Sequence, residues 1–183
     1  EEGKGSNFWF EVTLPIATDL PKDKSDKEMR KELSGKKILI VDDYDINLQI
    51  FKEYLESYNV EVQTFSSPLE ALTNIKMTAA DKRVKPYDIL LVDYYMPEMN
   101  GEEFGALVHN NPASYGSPKM ILITAIGRDD KIDFLEKDGY TAHLLKPIYS
   151  KTLVKAMVEA LHDKTAKSFM PVERTKKQLE DTM

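Results

Sequence analysis

Ile89-Leu90-Leu91-Val92-Asp93-Tyr94-Tyr95-Met96-Pro97-Glu98-Met99-Asn100-Gly101 is the stretch whose reading decides the fold. Four apolar residues with no polar alternation describe a strand covered on both faces, as in a parallel sheet flanked by helices. The run stops at an acidic residue, and Pro97 and Gly101 break the chain before a helical pattern through Phe104, Leu107 and Val108. The same order recurs on either side. Upstream, Ile38-Leu39-Ile40-Val41 precedes an amphipathic helix carrying Leu48, Phe51, Leu55 and Tyr58. Val60, Val62 and Phe65 mark a shorter, more exposed strand, and Ser67-Pro68-Leu69-Glu70 opens a helix with a cap, a first-turn proline and a capping-box acid. Leu72, Ile75 and Ala79 continue its inward stripe. Downstream, Met120-Ile121-Leu122-Ile123 is another buried strand, followed by a weak charged helix over 129–138 with Ile132 and Leu135 inward. Ala142-His143-Leu144-Leu145 is the last strand, and Ser150 caps a final helix with Leu153, Val154, Met157 and Leu161. Five strand-helix units between residues 36 and 163 predict an α/β fold: a doubly wound parallel sheet with right-handed crossovers.

The 183 residues have room for one such domain plus extra segments, and 42% apolar residues supply a core. A net charge of −6 argues against a chain that coats nucleic-acid phosphates. The absence of cysteine excludes disulfide scaffolds, thiolate metal sites and cysteine nucleophiles, and suits a reducing compartment. No apolar run reaches the length of a membrane span. Glu1-Glu2-Gly3-Lys4-Gly5-Ser6 has no signal-peptide pattern and reads as a cut inside a longer protein.

The flanks read differently. Residues 7–14, Asn-Phe-Trp-Phe-Glu-Val-Thr-Leu, form an aromatic and β-branched stray strand ended by Pro15, which has lost its sheet or must borrow one. Residues 16–35 are a charged linker whose main reading is a flexible tether; the capping-box spacing Ser25-Asp26-Lys27-Glu28 also allows a short solvated helix to about Leu33. Residues 164–183 are a charged tail, a frayed helix or a linker.

Four strands end in a polar group: Asp42 with Asp43, Asp93, Thr124 and Lys146. Ligands of open parallel sheets bind outside the carboxyl ends of the strands, so one crevice receives three carboxylates, a hydroxyl and an ammonium. Two carboxylates about 4 Å apart repel by roughly 4 kcal/mol at an effective dielectric of 20. Lys146 alone cannot offset three of them, and an all-oxygen donor set favours Mg2+. One carboxylate can then attack a phosphoryl group while the cation, Lys146 and Thr124 hold its equatorial oxygens.

In order and spacing, Val41-Asp42-Asp43 with Asn47, Val92-Asp93 through Gly101, Ile123-Thr124-Ala125 and Leu145-Lys146-Pro147 resemble the receiver domain of two-component signalling. The resemblance implies a flavodoxin-like sheet of order 2-1-3-4-5 over about 36–163. It implies Asp93 as phospho-acceptor, Asp42, Asp43 and Asp93 with the Tyr95 carbonyl as Mg2+ ligands, and Thr124 and Lys146 as the switch pair. It also implies a cis Lys146–Pro147 peptide. Gly3-Lys4-Gly5-Ser6-Asn7-Phe8-Trp9-Phe10 through Pro15 resembles the last strand of a histidine-kinase ATP-binding domain, so residues 1–15 would be the end of that domain. The whole then resembles a junction within a hybrid sensor histidine kinase. The chain itself lacks the kinase's catalytic residues; the parent would be a transferase. Implied partners are a phospho-His domain of the same polypeptide or its dimer mate and a His-containing phosphotransfer protein, with no nucleic acid and no membrane contact by this fragment. The implied location is cytoplasmic.

Histidine occurs only at 109, 143 and 162, none in a phospho-donor motif. His143 stands where the family usually has an aromatic reporter; its main reading is a half-exposed strand residue. Tyr95 and Ile126, each two residues beyond a site residue, carry no acid or amide to orient water, so the aspartyl phosphate is expected to be comparatively long-lived or to leave mainly by transfer to another His. Two other functions stay open on sequence alone: a module that docks on and restrains its kinase, and a haloacid-dehalogenase-like phosphohydrolase using Asp43-Tyr44-Asp45. The second lacks that family's usual Thr or Val at position 47, and Asp45 is placed to cap the following helix.

Overall fold

Unbroken apolar strands must be covered on both faces, and the two faces of this sheet part cleanly by residue parity. In the computed structural model, which describes residues 9–13, 24–125, 137–162 and 167–169, the elements in chain order are as follows. Helix α1 (Lys24–Leu33) precedes β1 (Lys37–Val41), α2 (Asp45–Glu56), β2 (Glu61–Phe65), α3 (Pro68–Ala80) and β3 (Ile89–Asp93). Then come α4 (Gly101–Asn110), the single-turn α5 (Pro112–Tyr115), β4 (Lys119–Thr124), β5 (Tyr140–Leu145), α6 (Ser150–Leu161) and β6 (Lys167–Phe169). Ile38 and Ile40 of β1, Ile89 and Leu91 of β3, and Ile121 and Ile123 of β4 enter one core layer, with Leu55, Val154 and Met157 of α2 and α6. Their neighbours Leu39, Val41, Leu90, Val92, Met120 and Leu122 enter the other, with Leu72, Ile75 and Phe104 of α3 and α4. This is the period-two alternation of a pleated sheet with helices on each side.

All strand pairs are parallel, and the first five strands take the expected order 2-1-3-4-5. The sheet does not end there. β6 pairs in parallel with β5, Ala142 opposite Lys167 and Leu144 opposite Phe169, making β5 an interior strand. Within the tail, the described residues 167–169 are thus strand, not helix or linker. Three ladder positions suffice to add it, because β5 otherwise presents an unpaired edge.

Three further expectations are corrected. Residues 9–13 form no strand, with Trp9 82% and Phe10 88% exposed: extended sequence becomes a strand only where a neighbour supplies hydrogen bonds. Residues 24–33 are a helix docked on α6 with Leu33 fully buried, not a flexible tether. Two caps shift by one residue: Tyr44 and Tyr149 precede α2 and α6, so Asp45 and Ser150 are first-turn residues. Ser67 does cap α3, accepting from the Glu70 N–H. The helix expected over 129–138 lies largely outside the described residues. Among those described, no helix is long and apolar enough to cross a membrane.

Candidate functional site

Register brings the polar strand ends together. Val41 pairs with Val92, Asp93 with Ile123, and Thr124 with Leu145, so Asp42, Asp93, Thr124 and Lys146 occupy consecutive positions along one sheet edge. Backbone bonds continue the ladder past the strands: Tyr94 N donates to Ile123 O (2.8 Å) and Lys146 N to Thr124 O (2.8 Å). The Lys146–Pro147 peptide is cis.

Asp42, Asp93 and Thr124 are buried, and Asp43 is half-buried. One carboxylate oxygen from each of Asp42, Asp43 and Asp93 lies within 4.8 Å of the others. Lys146 Nζ stands between two of these groups, 2.7 Å from Asp93 Oδ1 and 3.2 Å from Asp42 Oδ2. The second oxygen of Asp93 accepts from the Tyr95 N–H at 3.1 Å. Asn47 Nδ2 lies 2.9 Å from each oxygen of Asp42, and the Tyr44 N–H donates to Asp42 Oδ1 at 2.9 Å.

Burial pushes the Asp93 carboxyl up; Lys146 pulls against this, Asp42 adds to it, and the net position is above the ordinary value. Burial alone would depress Lys146, but Asp93 and then Asp42 outweigh it and hold the ammonium above its usual range. The site therefore keeps a fixed positive charge against carboxylates that repel one another.

The loop from 94 to 100 sets where Asp93 points. Gly101 N donates back to Tyr94 O (2.9 Å), Met99 N to Pro97 O (2.8 Å), and Glu98 takes a left-handed φ of 70°. A side chain at Gly101 would stand 2.8 Å from Asp93 O and 2.7 Å from Leu122 Cδ1, so only glycine lets α4 start this close to β3. The Tyr140 hydroxyl donates to Gly101 O at 2.5 Å from within the core. Asn100 caps α4 in a full capping box with Glu103.

The sequence-derived site residues thus fall at one edge: Asp42, Asp43 and Asp93 clustered, Lys146 against Asp42 and Asp93, Thr124 at the adjoining strand end, and Tyr95 next to Asp93. Ile126 lies outside the described residues. His143 is half-buried in β5, its imidazole pushed down by burial. Asp45 is not in the acidic cluster. Two supports escaped the sequence reading. Asn47 holds both oxygens of Asp42, and its signal is an amide one helical turn past a site acid. Tyr140 anchors α4, and nothing in its sequence neighbourhood announces this.

The profile of the response regulator receiver domain matches residues 38–158. Among curated relatives, the autoinducer 2 sensor kinase/phosphatase LuxQ of Vibrio parahaemolyticus is 29% identical over 162 residues, covering 85% of this chain and 18% of its own length. The aerobic respiration control sensor protein ArcB of Escherichia coli is 27% identical over 165 residues, covering 89% and 20%. Hybrid signal transduction histidine kinase L of Dictyostelium discoideum is 28% identical over 144 residues, covering 78% and 8%. The chain thus spans a fifth or less of the length of these relatives. Among solved structures, a CheY-like receiver domain protein from Methanospirillum hungatei is 27% identical with a TM-score of 0.60, covering 71% of this chain and 96% of its own. Vibrio cholerae chemotaxis protein CheY4 is 26% identical with a TM-score of 0.61, covering 69% and 99%.

Proposed function

The chain belongs to the response regulator receiver family, homologous to the receivers of hybrid sensor kinases, and from that premise we propose that it accepts a phosphoryl group on Asp93 from a phospho-His. The observation that carries this reading is Lys146 Nζ held between the buried Asp93 and Asp42 at the strand ends. An Asp93 oxygen forms the new bond to phosphorus as the bond from phosphorus to the donor imidazole nitrogen breaks, and the imidazole leaves with that electron pair. The Tyr95 N–H fixes the oxygen that does not react. In this reading Lys146 takes the oxygens on which negative charge gathers, and Thr124 at the adjoining strand end donates its hydroxyl there.

The donor set fits Mg2+: three carboxylates with oxygens within 4.8 Å, no sulfur or imidazole among them, and Asp42 held rigid by Asn47. Asp42, Asp43, Asp93 and the Tyr95 carbonyl would hold the ion. When bound it supplies positive charge that neutralises the acidic cluster and the incoming phosphoryl oxygens.

The stretches of 162 and 165 residues shared with two sensor kinases are longer than the 38–158 span of the receiver profile. That extra length supports placing the chain in a hybrid histidine kinase; on the sequence pattern, residues 1–15 would end its ATP-binding domain and 16–35 lead to the receiver. The donor is then a phospho-His of the same polypeptide or its dimer mate, the onward acceptor a His-containing phosphotransfer protein, and the location cytoplasmic. A haloacid-dehalogenase reading has no support from the site, because Asp45 opens α2 outside the cluster.

The test is intact mass after incubation with acetyl phosphate, with and without Mg2+, beside Asp93→Ala. One added phosphoryl group, lost in the variant and without Mg2+, is the expected result. Uptake that persists in Asp93→Ala overturns the assignment.

A further inference from the structure

Helix α1 lies against the far ends of the two helices whose near ends border the acidic site. α2 opens at Asp45, two residues past Asp43, and α6 opens at Ser150, four past Lys146. Each runs 12 residues, about 18 Å of helix axis. Past the far end of α2, Tyr58 is buried and its hydroxyl donates to Asp26 Oδ1 at 3.1 Å. The Arg30 guanidinium stands 4.9 Å from the Tyr58 ring centroid and donates to Ser57 O. Gly35 N donates to Asn59 O at 2.8 Å, and Asn59 Nδ2 to Ser34 Oγ at 2.9 Å. At the far end of α6, His162 Nε2 lies 3.5 Å from Glu32 Oε2. Leu33, fully buried, and Met29, partly buried, join the core layer built by α2 and α6. α1 therefore depends on both helices keeping their relative positions.

At the other end of the same two helices, one ammonium is shared. Lys146 contacts Asp93, at the end of β3, and Asp42, which precedes α2. A phosphoryl group on Asp93 adds charge and acceptor oxygens that compete for Lys146, and the contact to Asp42 weakens. Close-packed helices respond by shifting as bodies rather than deforming.

From this juxtaposition we propose that α1 is a conformational reporter of the acidic site: docked while Lys146 bridges Asp93 and Asp42, released when that bridge is broken. The proposal rests on the phosphoryl-accepting reading for its natural trigger. A ten-residue helix is not stable alone in water, so release means unfolding of α1 and a freer tether to the segment before it.

Amide hydrogen exchange of the full chain tests this, with residues 24–35 as the reporter and 68–80 of α3, in the opposite core layer, as the control. Two triggers are used: acetyl phosphate with Mg2+, its uptake read by intact mass in the same sample, and Lys146→Ala, which removes the bridge without any phosphoryl group. Exchange over 24–35 should rise at least about fivefold with either trigger, the lower end of ordinary site-to-site coupling, with α3 unchanged. Faster exchange in Lys146→Ala, with no phosphoryl uptake by the unsubstituted chain, would support the reporter and count against the phosphoryl reading. Uptake with exchange over 24–35 unchanged would overturn the reporter and leave that reading standing. Unchanged exchange in Lys146→Ala also overturns it.

Discussion

Replacing Lys146 by methionine should tighten Mg2+ binding, and the geometry sets the scale. The acidic oxygens lie within 4.8 Å of one another, so each carboxylate pair repels by at least roughly 3.5 kcal/mol at an effective dielectric of 20. Lys146 Nζ, at 2.7 and 3.2 Å from Asp93 and Asp42, returns about 6 and 5 kcal/mol on the same footing. Those attractions hold the ammonium against two of the three carboxylates. It also competes with any cation for the same oxygens. The side chain is 29% exposed, and solvent screening reduces these figures several-fold. If about a quarter of the attraction survives, its removal is worth about 3 kcal/mol, near a hundredfold in affinity. Calorimetric titration with Mg2+ at constant pH should therefore show Lys146→Met binding at least about tenfold more tightly than the parent. The same variant should take up phosphoryl groups on the order of a hundredfold more slowly, as when one charge-stabilising donor is lost. Equal or weaker Mg2+ affinity in the variant would refute the reasoning, because Lys146 and the ion would then not share ligands.

Other predictions concern what positions the site and what leaves it. Gly101→Ala forces α4 off β3 against contacts of 2.7 and 2.8 Å and should destabilise by about 1–3 kcal/mol in urea unfolding, with slower phosphoryl uptake; unchanged stability would show that the close approach is not needed. For Asp88, burial pushes the carboxyl up, but Lys85, the Lys37 N–H and Lys36 bring it below the ordinary value. A depressed carboxylate stabilises above its unfolded value of about 3.9 and loses that contribution as pH falls through the folded value. Asp88→Asn should therefore cost about 1 kcal/mol at neutral pH, a difference that shrinks below about pH 4; a gap that widens on acidification would reverse the sign. Tyr95, 53% exposed and edge-on to Tyr94 at 4.8 Å, offers no group to orient water at Asp93. The isolated aspartyl phosphate should persist for minutes or longer in Mg2+, and decay within seconds would contradict this.

The sheet could be read from sequence because burial on both faces leaves unbroken apolar runs, each ending at a residue with its own chemistry. Position along the strand then places Asp42, Asp93, Thr124 and Lys146 at one edge without any long-range information. β6 could not be read this way: Lys167-Ser168-Phe169 is too short to carry a period, and its only signal is the open edge of β5. The aromatic segment before Pro15 fails in the opposite sense, since its pattern is that of a strand but residues 9–13 form none. For α1 the charge run hides the fully buried Leu33, whose burial depends on α6 about 120 positions later in the chain. Asn47 was visible as a residue but not as a support, because its bonds to Asp42 need the first turn of α2 folded over the strand end.

The central claim is that Asp93, among three clustered carboxylates, is the one that carries the phosphoryl group. Borohydride reduction of the chain after acetyl phosphate and Mg2+ treatment converts an aspartyl phosphate to homoserine, and peptide mass mapping then locates it. Conversion at position 93 alone is the predicted result. Conversion at Asp42 or Asp43, or none despite phosphoryl uptake, would contradict it.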